Sequence, residues 1–252
     1  MAGPARPILA IVSLILVAGG VVLQFFTILS GAVDSFPISL FYFLEASTNG
    51  IPNARNPSRW TFFAICGSDP SNGHNANCGS VVPALPFDPP KNFGTDENVP
   101  QQFIGTNQYY YLSRFMFAFY LIALFFAAIA LLSGLLALFS RLGGYLSAMT
   151  TAVALFFQTL AAALMTAWIV KGRDAFRSAG FEAHIGKYLM GFAWASWACF
   201  FLATIFFCLG GKLGGDSSGV RRTRSTRSSK SQRSRGSFLE TDSQRRVKDD
   251  YA

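Results

Sequence analysis

The segment Phe115–Phe139, FMFAFYLIALFFAAIALLSGLLALF, contains 25 residues and no charged side chain. A helix of this length, at about 1.5 Å per residue, exceeds the roughly 30 Å of a bilayer's hydrocarbon core. A single segment of this kind has two interpretations, a membrane-spanning helix or a buried helix of a soluble protein. The sequence on either side of it decides between them.

Three further segments have the same character, namely residues 8–29, 145–170 and 189–209, and none of them contains Asp, Glu, Lys or Arg. Four such segments in one chain argue against buried soluble helices and predict a membrane protein built on a four-helix bundle. The first segment is longer than the apolar part of a cleaved signal peptide, and Arg6 is the only basic residue before it. We therefore predict that it is a retained helix.

The composition fits this class of protein. Hydrophobic residues make up 51% of the chain and charged residues 13%, whereas soluble domains carry about 25% charged residues. The net charge is nevertheless +8, and most of it lies in residues 210–252, which contain eleven basic and five acidic side chains. This segment is rich in serine and poor in large apolar residues, which predicts a disordered tail.

The predicted helices leave an N-terminal segment, residues 1–7, and three connections between helices. Residues 30–114 form a long loop, residues 140–144 a tight hairpin and residues 171–188 a loop of intermediate length. An even number of spans places both termini on one side. The distribution of Lys and Arg near the helix ends favours the cytosol for that side and the cell exterior for the long loop.

The long loop predicts a small antiparallel β-sheet. FPISLFYFLEAS (Phe36–Ser47) and SRWTFFAICG (Ser58–Gly67) are rich in aromatic and β-branched residues, which are typical of strands. SVVPAL (Ser80–Leu85) is a third candidate, and Pro83 favours a position at the sheet edge. The turn-rich SDPSNGHNAN that precedes Cys78 is predicted to be a loop.

Trp60, Cys66, Gly67 and Cys78 form the pattern W-x5-C-G, followed by an Asn-rich segment and a second cysteine. In an oxidising compartment the two cysteines would form a disulfide, and two unpaired thiols are the alternative. Four spans with a Trp and a cysteine pair in the first loop resemble the claudin-like superfamily. Claudins themselves carry Gly-Leu-Trp, which is missing here, and the pattern is more similar to the fungal SUR-seven/PalI family of plasma-membrane tetraspans.

This resemblance covers residues 1–211 and implies a multi-pass plasma-membrane protein with both termini in the cytosol. It further implies a non-enzymatic organiser of a cortical membrane domain, with eisosome proteins as partners and effects on endocytosis, cell-wall integrity and sporulation. Two other functions stay open. One is an accessory role in ambient-pH signalling, as in the PalI branch, and the other is a claudin-like pore or adhesion protein.

Within the predicted helices, Gln158 is expected to hydrogen-bond another helix, with a place in a transport pathway as the alternative. Small residues at four-residue spacing predict either packing inside the bundle or lateral association between copies. Trp168, Trp194 and Trp197 lie near the loop-side helix ends and predict an interfacial aromatic belt, a surface suited to sterols or sphingolipids.

The basic tail is predicted to bind the anionic inner leaflet, where each Lys or Arg contributes about 1 kcal/mol. We expect no nucleic-acid binding, and a topology anchor alone is the alternative. The predicted lipid-binding residues are Lys212, Arg221, Arg222, Arg224, Arg227, Lys230, Arg233 and Arg235. Phosphorylation would oppose this binding, and the candidate sites are Ser225, Ser228, Ser229, Ser231 and Ser234. Cys208 is a candidate for palmitoylation, or else an apolar core residue.

The sequence predicts no catalytic residue, cofactor or metal site. His74 and His184 are its two histidines, and neither has neighbours at metal-ligand spacing. It contains no phosphate-binding loop and no glycine-rich nucleotide motif. We therefore expect a protein that is not an enzyme.

Overall fold

The computed structural model describes residues 5–33 and 35–213. Its helices, numbered along the chain, are α1 (Ala5–Ile28), the short α2 (Pro89–Phe93), α3 (Gln108–Ala137), α4 (Arg141–Ser178) and α5 (Lys187–Leu213). The four long helices are long and apolar enough to cross a membrane. The prediction of four membrane helices is confirmed, and the chain is a multi-pass membrane protein.

Helix α4 extends well beyond the apolar segment 145–170. It begins where the Ser140 hydroxyl accepts a hydrogen bond of 2.9 Å from the Gly143 amide, a normal N-cap interaction. Its 38 residues correspond to about 57 Å, nearly twice the thickness of a hydrocarbon core. The last two turns are therefore free to serve as a support for the loops, and they carry charged residues, namely Lys171, Arg173, Asp174 and Arg177.

The loops form one five-stranded sheet with the order β4-β3-β2-β1-β5, and every neighbouring pair is antiparallel. The strands are β1 (Leu44–Ala46), β2 (Ser58–Trp60), β3 (Ile65–Ser68), β4 (Asn75–Ala76) and β5 (Ala183–Ile185). The predicted small antiparallel sheet is thus confirmed. We call residues 29–107 and 171–186 the head, and the remainder of the four long helices the bundle.

The predicted strand boundaries need four corrections. Within Phe36–Ser47, Leu44–Ala46 is a strand, whereas Ile38–Leu40 is a turn of 3₁₀ helix. Ser58–Gly67 is not one strand but the hairpin of β2 and β3, because the Thr61 hydroxyl bonds both the amide and the carbonyl of Ala64 and closes a turn. Ser80–Leu85 is not a strand, since Ala84 has a positive φ of 53°, which interrupts extended backbone. Strand β4 lies inside the segment that was predicted to be a loop.

The fifth strand comes from the second loop, which the sequence did not place in the sheet. Its register pairs Glu45 of β1 with His184 of β5. The pairing continues at Gly186, whose amide donates to the Phe43 carbonyl over 2.8 Å. An ideal Cβ at Gly186 would lie 1.7 Å from the Tyr42 carbonyl oxygen, so this close approach of two backbones requires glycine.

Candidate functional site

Trp60 lies at the centre of the head and is only 2% exposed. Its ring packs on Phe87, Phe93 and Phe176, with centroid distances of 5.1, 5.9 and 5.6 Å. Its indole N–H donates to Asn92 Oδ1 over 3.2 Å. A buried N–H without an acceptor costs about 1–3 kcal/mol, so Asn92 fixes the orientation of the ring.

Asn92 was missed by the sequence analysis, although it connects three parts of the head. Besides accepting from Trp60, its Oδ1 accepts from the Asp88 amide at 3.1 Å, and its Nδ2 donates to the Pro86 carbonyl at 3.1 Å. The signal was present in the two prolines at the start of α2, a common feature of a helix N-terminus. It would have placed Asn92 in a short helix.

The cysteine pair forms the predicted disulfide, so the alternative of two unpaired thiols is wrong. The bridge joins β3 to the residues after β4 and thereby fixes this end of the sheet. Cys66 is fully buried. An ideal Cβ at the adjacent Gly67 would lie 3.3 Å from the Ala76 carbonyl oxygen, so a side chain there would require a small shift of β4. The sheet brings Cys66, Gly67 and Trp60 together on the β2–β3 hairpin.

A cross-strand ion pair links Glu45 of β1 with Arg59 of β2. Arg59 is 7% exposed, and its guanidinium also donates to the Gly73 carbonyl over 2.8 Å and lies 4.5 Å from the centroid of the Tyr42 ring. Burial, and secondarily the Glu45 charge, raises the pKa of Tyr42 above 10.0, so the ring stays neutral. Arg59 thereby connects β1, β2 and the turn before β4.

The two histidines do not converge on a site. His74 Nδ1 lies 2.9 Å from the Ser39 hydroxyl, whereas His184 is exposed on the edge strand β5. Across residues 5–33 and 35–213, no three His, Cys, Asp or Glu side chains come together in a way that could hold a metal ion.

In the bundle, Gln158 hydrogen-bonds two other helices, as predicted. Its Oε1 accepts from Gln24 Nε2 of α1 over 2.7 Å, and its Nε2 donates to the Ala193 carbonyl of α5 over 3.0 Å. Both glutamine side chains are fully buried. The arrangement joins α1, α4 and α5 through a polar contact that cannot be exchanged for water inside a bilayer.

The predicted aromatic belt is wrong for Trp168. This residue is 2% exposed, and its ring lies 4.8 Å from Phe87 in the core of the head. Trp197, by contrast, is half-buried on α5, and its indole N–H donates to the Thr159 hydroxyl of α4 over 2.8 Å. Trp194 is 41% exposed and donates likewise to Thr166 over 3.3 Å. These two rings are available to lipid while their polar atoms are satisfied.

Two small cavities and one groove lie among the described residues. A cavity between α1, α3, α4 and α5 and a second one at the base of the head each hold about 10 Å³, room for at most one water molecule. A larger apolar groove of about 340 Å³ faces outward between α1 and α3. It is lined by Leu14, Ile15, Ala18, Leu131, Leu132 and Leu135.

The predicted sites of the tail lie outside the described residues. This applies to the lipid-binding residues from Arg221 to Arg235 and to the serines from Ser225 to Ser234, while Lys212 is in α5 but its side chain is not described. Cys208 is exposed on α5 rather than packed in the core, and its acylation stays a prediction.

Four membrane helices and a disulfide-linked antiparallel sheet define a claudin-like tetraspan protein. The model of the SUR7/PalI family matches residues 9–206. The chain therefore belongs to the SUR7/PalI family, as its W-x5-C-G pattern indicated.

Individual relatives agree with this assignment. The chain is 40% identical over 200 residues to Protein SUR7 of Candida albicans, an alignment that covers 79% of the chain and 72% of that protein. It is 35% identical over 203 residues to Protein SUR7 of Saccharomyces cerevisiae, covering 80% and 64%. A third relative is Uncharacterized plasma membrane protein YNL194C of Saccharomyces cerevisiae, 36% identical over 188 residues, covering 73% and 62%. The chain thus spans just under two thirds of each Saccharomyces protein.

Proposed function

We propose that this protein is a non-enzymatic organiser of a plasma-membrane domain of the eisosome type, with effects on endocytosis, cell-wall integrity and sporulation. The observation that carries the proposal is the packing at the centre of the described bundle, where the Gln24 and Gln158 side chains are fully buried between helices. The two glutamines bond to one another and to the Ala193 carbonyl, which supports a role in packing the helices. A protein built in this way acts through the surfaces that it presents.

A plasma-membrane location is supported by the relative that is named as a plasma membrane protein. In the proposed orientation both termini are cytosolic and the head lies outside the cell. The Cys66–Cys78 disulfide supports this orientation because such bonds persist in oxidising compartments. The basic tail then lies beside the anionic inner leaflet.

Three contacts would hold the domain together. The tail residues from Arg221 to Arg235 bind anionic lipid and cortical eisosome proteins, and phosphorylation of the neighbouring serines weakens that contact. The bundle associates laterally with further copies. The exposed faces of Trp194 and Trp197 contact sterol or sphingolipid, which is supported by the internal hydrogen bonds that satisfy their indole N–H groups.

A fluorescent fusion expressed from the native locus tests this proposal. We expect cortical patches whose fluorescence does not recover within minutes after bleaching. A variant with Arg221, Arg222, Arg224 and Arg227 replaced by Gln should form fewer patches if the tail holds them. An even, rapidly recovering distribution of the unaltered chain would contradict the organiser function.

Two further measurements separate the competing functions. Ion conductance in liposomes that contain the purified protein would favour a pore. An accessory role in signalling predicts two results. Cells in which the gene is deleted would lose the response to alkaline pH, and the fluorescent fusion would form no patches.

A further inference from the structure

Two cations of the described chain lie over one aromatic ring at the junction of head and bundle. Lys91 Nζ is 4.9 Å and Arg114 Cζ is 5.0 Å from the centroid of the Tyr110 ring, so the two charges are within about 10 Å of each other. Lys91 belongs to α2, whereas Tyr110 and Arg114 are one turn apart at the start of α3. Cation–π attraction therefore holds two elements of the protein around one positively charged spot.

Two neighbouring side chains of the head hold Lys91 in position. Its ammonium group lies 2.7 Å from Oδ2 of the buried Asp88 and 3.4 Å from Oδ1 of Asn107, yet the side chain is 61% exposed. The hydrogen bond to Asp88 raises the pKa of Lys91, so the group stays charged. Its position is determined by the fold, while much of its surface remains open to the surroundings.

Arg114 retains its capacity to bind an anion. It is exposed, and among residues 5–33 and 35–213 no carboxylate lies within ion-pair distance of its guanidinium. The first turn of α3 contains no acidic residue that could compete. A guanidinium has five N–H donors in a planar arrangement that matches two oxygens of a phosphate.

The position of the cluster selects the kind of anion. Arg114 immediately precedes the apolar segment 115–139, in which Phe115 is 55% exposed. Tyr111, beside Tyr110, is also 55% exposed, and tyrosines of this kind are typical of the headgroup level of a bilayer. The phosphate groups of membrane lipids lie at the same level.

We propose that Lys91, Tyr110 and Arg114 form a binding site for the phosphate group of an anionic phospholipid in the leaflet on the side of the head. Arg114 pairs bidentately with two phosphate oxygens. Lys91 keeps exposed N–H donors although Asp88 balances its charge, and Tyr110 holds both cations in place. This site is separate from the basic tail, which serves the opposite leaflet in the proposed orientation.

The test uses the full chain in nanodiscs of phosphatidylcholine with added phosphatidylglycerol, followed by native mass spectrometry of the lipid that stays bound. We expect retained phosphatidylglycerol to fall about five-fold in Arg114→Gln and in Lys91→Gln, the effect of one charge near a bilayer surface. Arg114→Lys keeps the charge but loses the paired donors and should be intermediate. Lys171→Gln is the matched control, because it removes a charge directly after the apolar segment 145–170, and it should retain lipid like the unaltered chain.

Three results would overturn the proposal. If Lys171→Gln lost as much bound phosphatidylglycerol as Arg114→Gln, the lipid would be held by general attraction to basic residues at the bilayer surface. Equal retention of oleic acid, which is anionic without phosphate, would mean that phosphate is not recognised. Displacement of the lipid by millimolar inorganic phosphate would identify a soluble anion as the ligand. If Arg114→Gln does not fold, the lipid retained by Lys91→Gln in α2 provides the test of the proposal. None of these outcomes affects the domain-organiser proposal, which is tested by patch formation.

Discussion

The head and the bundle are stabilised by different physical means. In the head, large aromatic rings surround the buried Trp60 and are reinforced by a disulfide and an ion pair. In the bundle, helices meet at small residues, and an ideal Cβ at Gly134 of α3 would lie 2.6 Å from Leu14 Cδ2 of α1. Water drives the burial of aromatic surface in the head, whereas lipid supplies no such force between helices. Single positions should therefore matter more in the head.

The largest effect is expected for Gly186→Ala in the head. The new Cβ would meet the Tyr42 carbonyl at 1.7 Å, which forces β5 away from β1 and breaks the Gly186–Phe43 hydrogen bond. We expect the free energy of unfolding, measured by denaturant titration in detergent, to fall by more than about 4 kcal/mol. Gly191→Ala in α5 is the control, because no atom lies within 4 Å of its ideal Cβ. If both variants lost the same free energy of unfolding, the head would be no more sensitive to single substitutions than the bundle.

The next largest effect is expected for the double substitution Cys66→Ala and Cys78→Ala. The bridge closes a loop with a sequence separation of 12 residues, for which its loss costs about 3 kcal/mol of unfolding free energy. The same denaturant titration measures this loss. Cys208→Ala on the exposed face of α5 is the control and should leave the free energy of unfolding nearly unchanged. Non-reducing mass spectrometry should show the bridged peptide in the unaltered chain. Free thiols there would contradict both this prediction and the proposed orientation.

In the bundle, Gln158→Leu is expected to cost about 1.5 kcal/mol of unfolding free energy, because Gln24 Nε2 and the Ala193 carbonyl lose their partner. Replacing both glutamines by Leu should cost less than the sum of the two single substitutions, since no amide is then left unpaired. Strict additivity in this double-mutant cycle would show that the two side chains do not interact.

The smallest effect is expected for Trp197→Phe, which keeps an aromatic ring but removes the bond to Thr159. We expect a loss of about 0.6 kcal/mol, the average for a hydrogen bond between membrane helices. Thr159→Val should cost more, because the indole N–H is then left without an acceptor in an apolar surrounding. If Trp197→Phe cost more free energy of unfolding than Thr159→Val, the indole N–H would have an acceptor other than Thr159.

Patterns that depend on neighbouring residues were predicted from the sequence, and contacts between distant residues were not. Four long uncharged segments in one chain predict membrane helices, because a bilayer excludes unpaired charges. The turn within Ser58–Gly67 was missed because it depends on the side-chain bonds of Thr61 and not on apolar periodicity. Trp168 was misplaced because a tryptophan near a helix end has the same local sequence whether it faces lipid or a core.

By itself, the sequence determined the number of membrane helices, the cysteine pair and the family pattern, since each follows from residue type and spacing along the chain. Only the tertiary structure decided that the second loop supplies β5, that Asn92 orients Trp60, and that Lys91 and Arg114 meet at Tyr110. These contacts join residues that are far apart in the chain. The second loop, which follows α4, joins the first loop in one sheet because β5 pairs with β1.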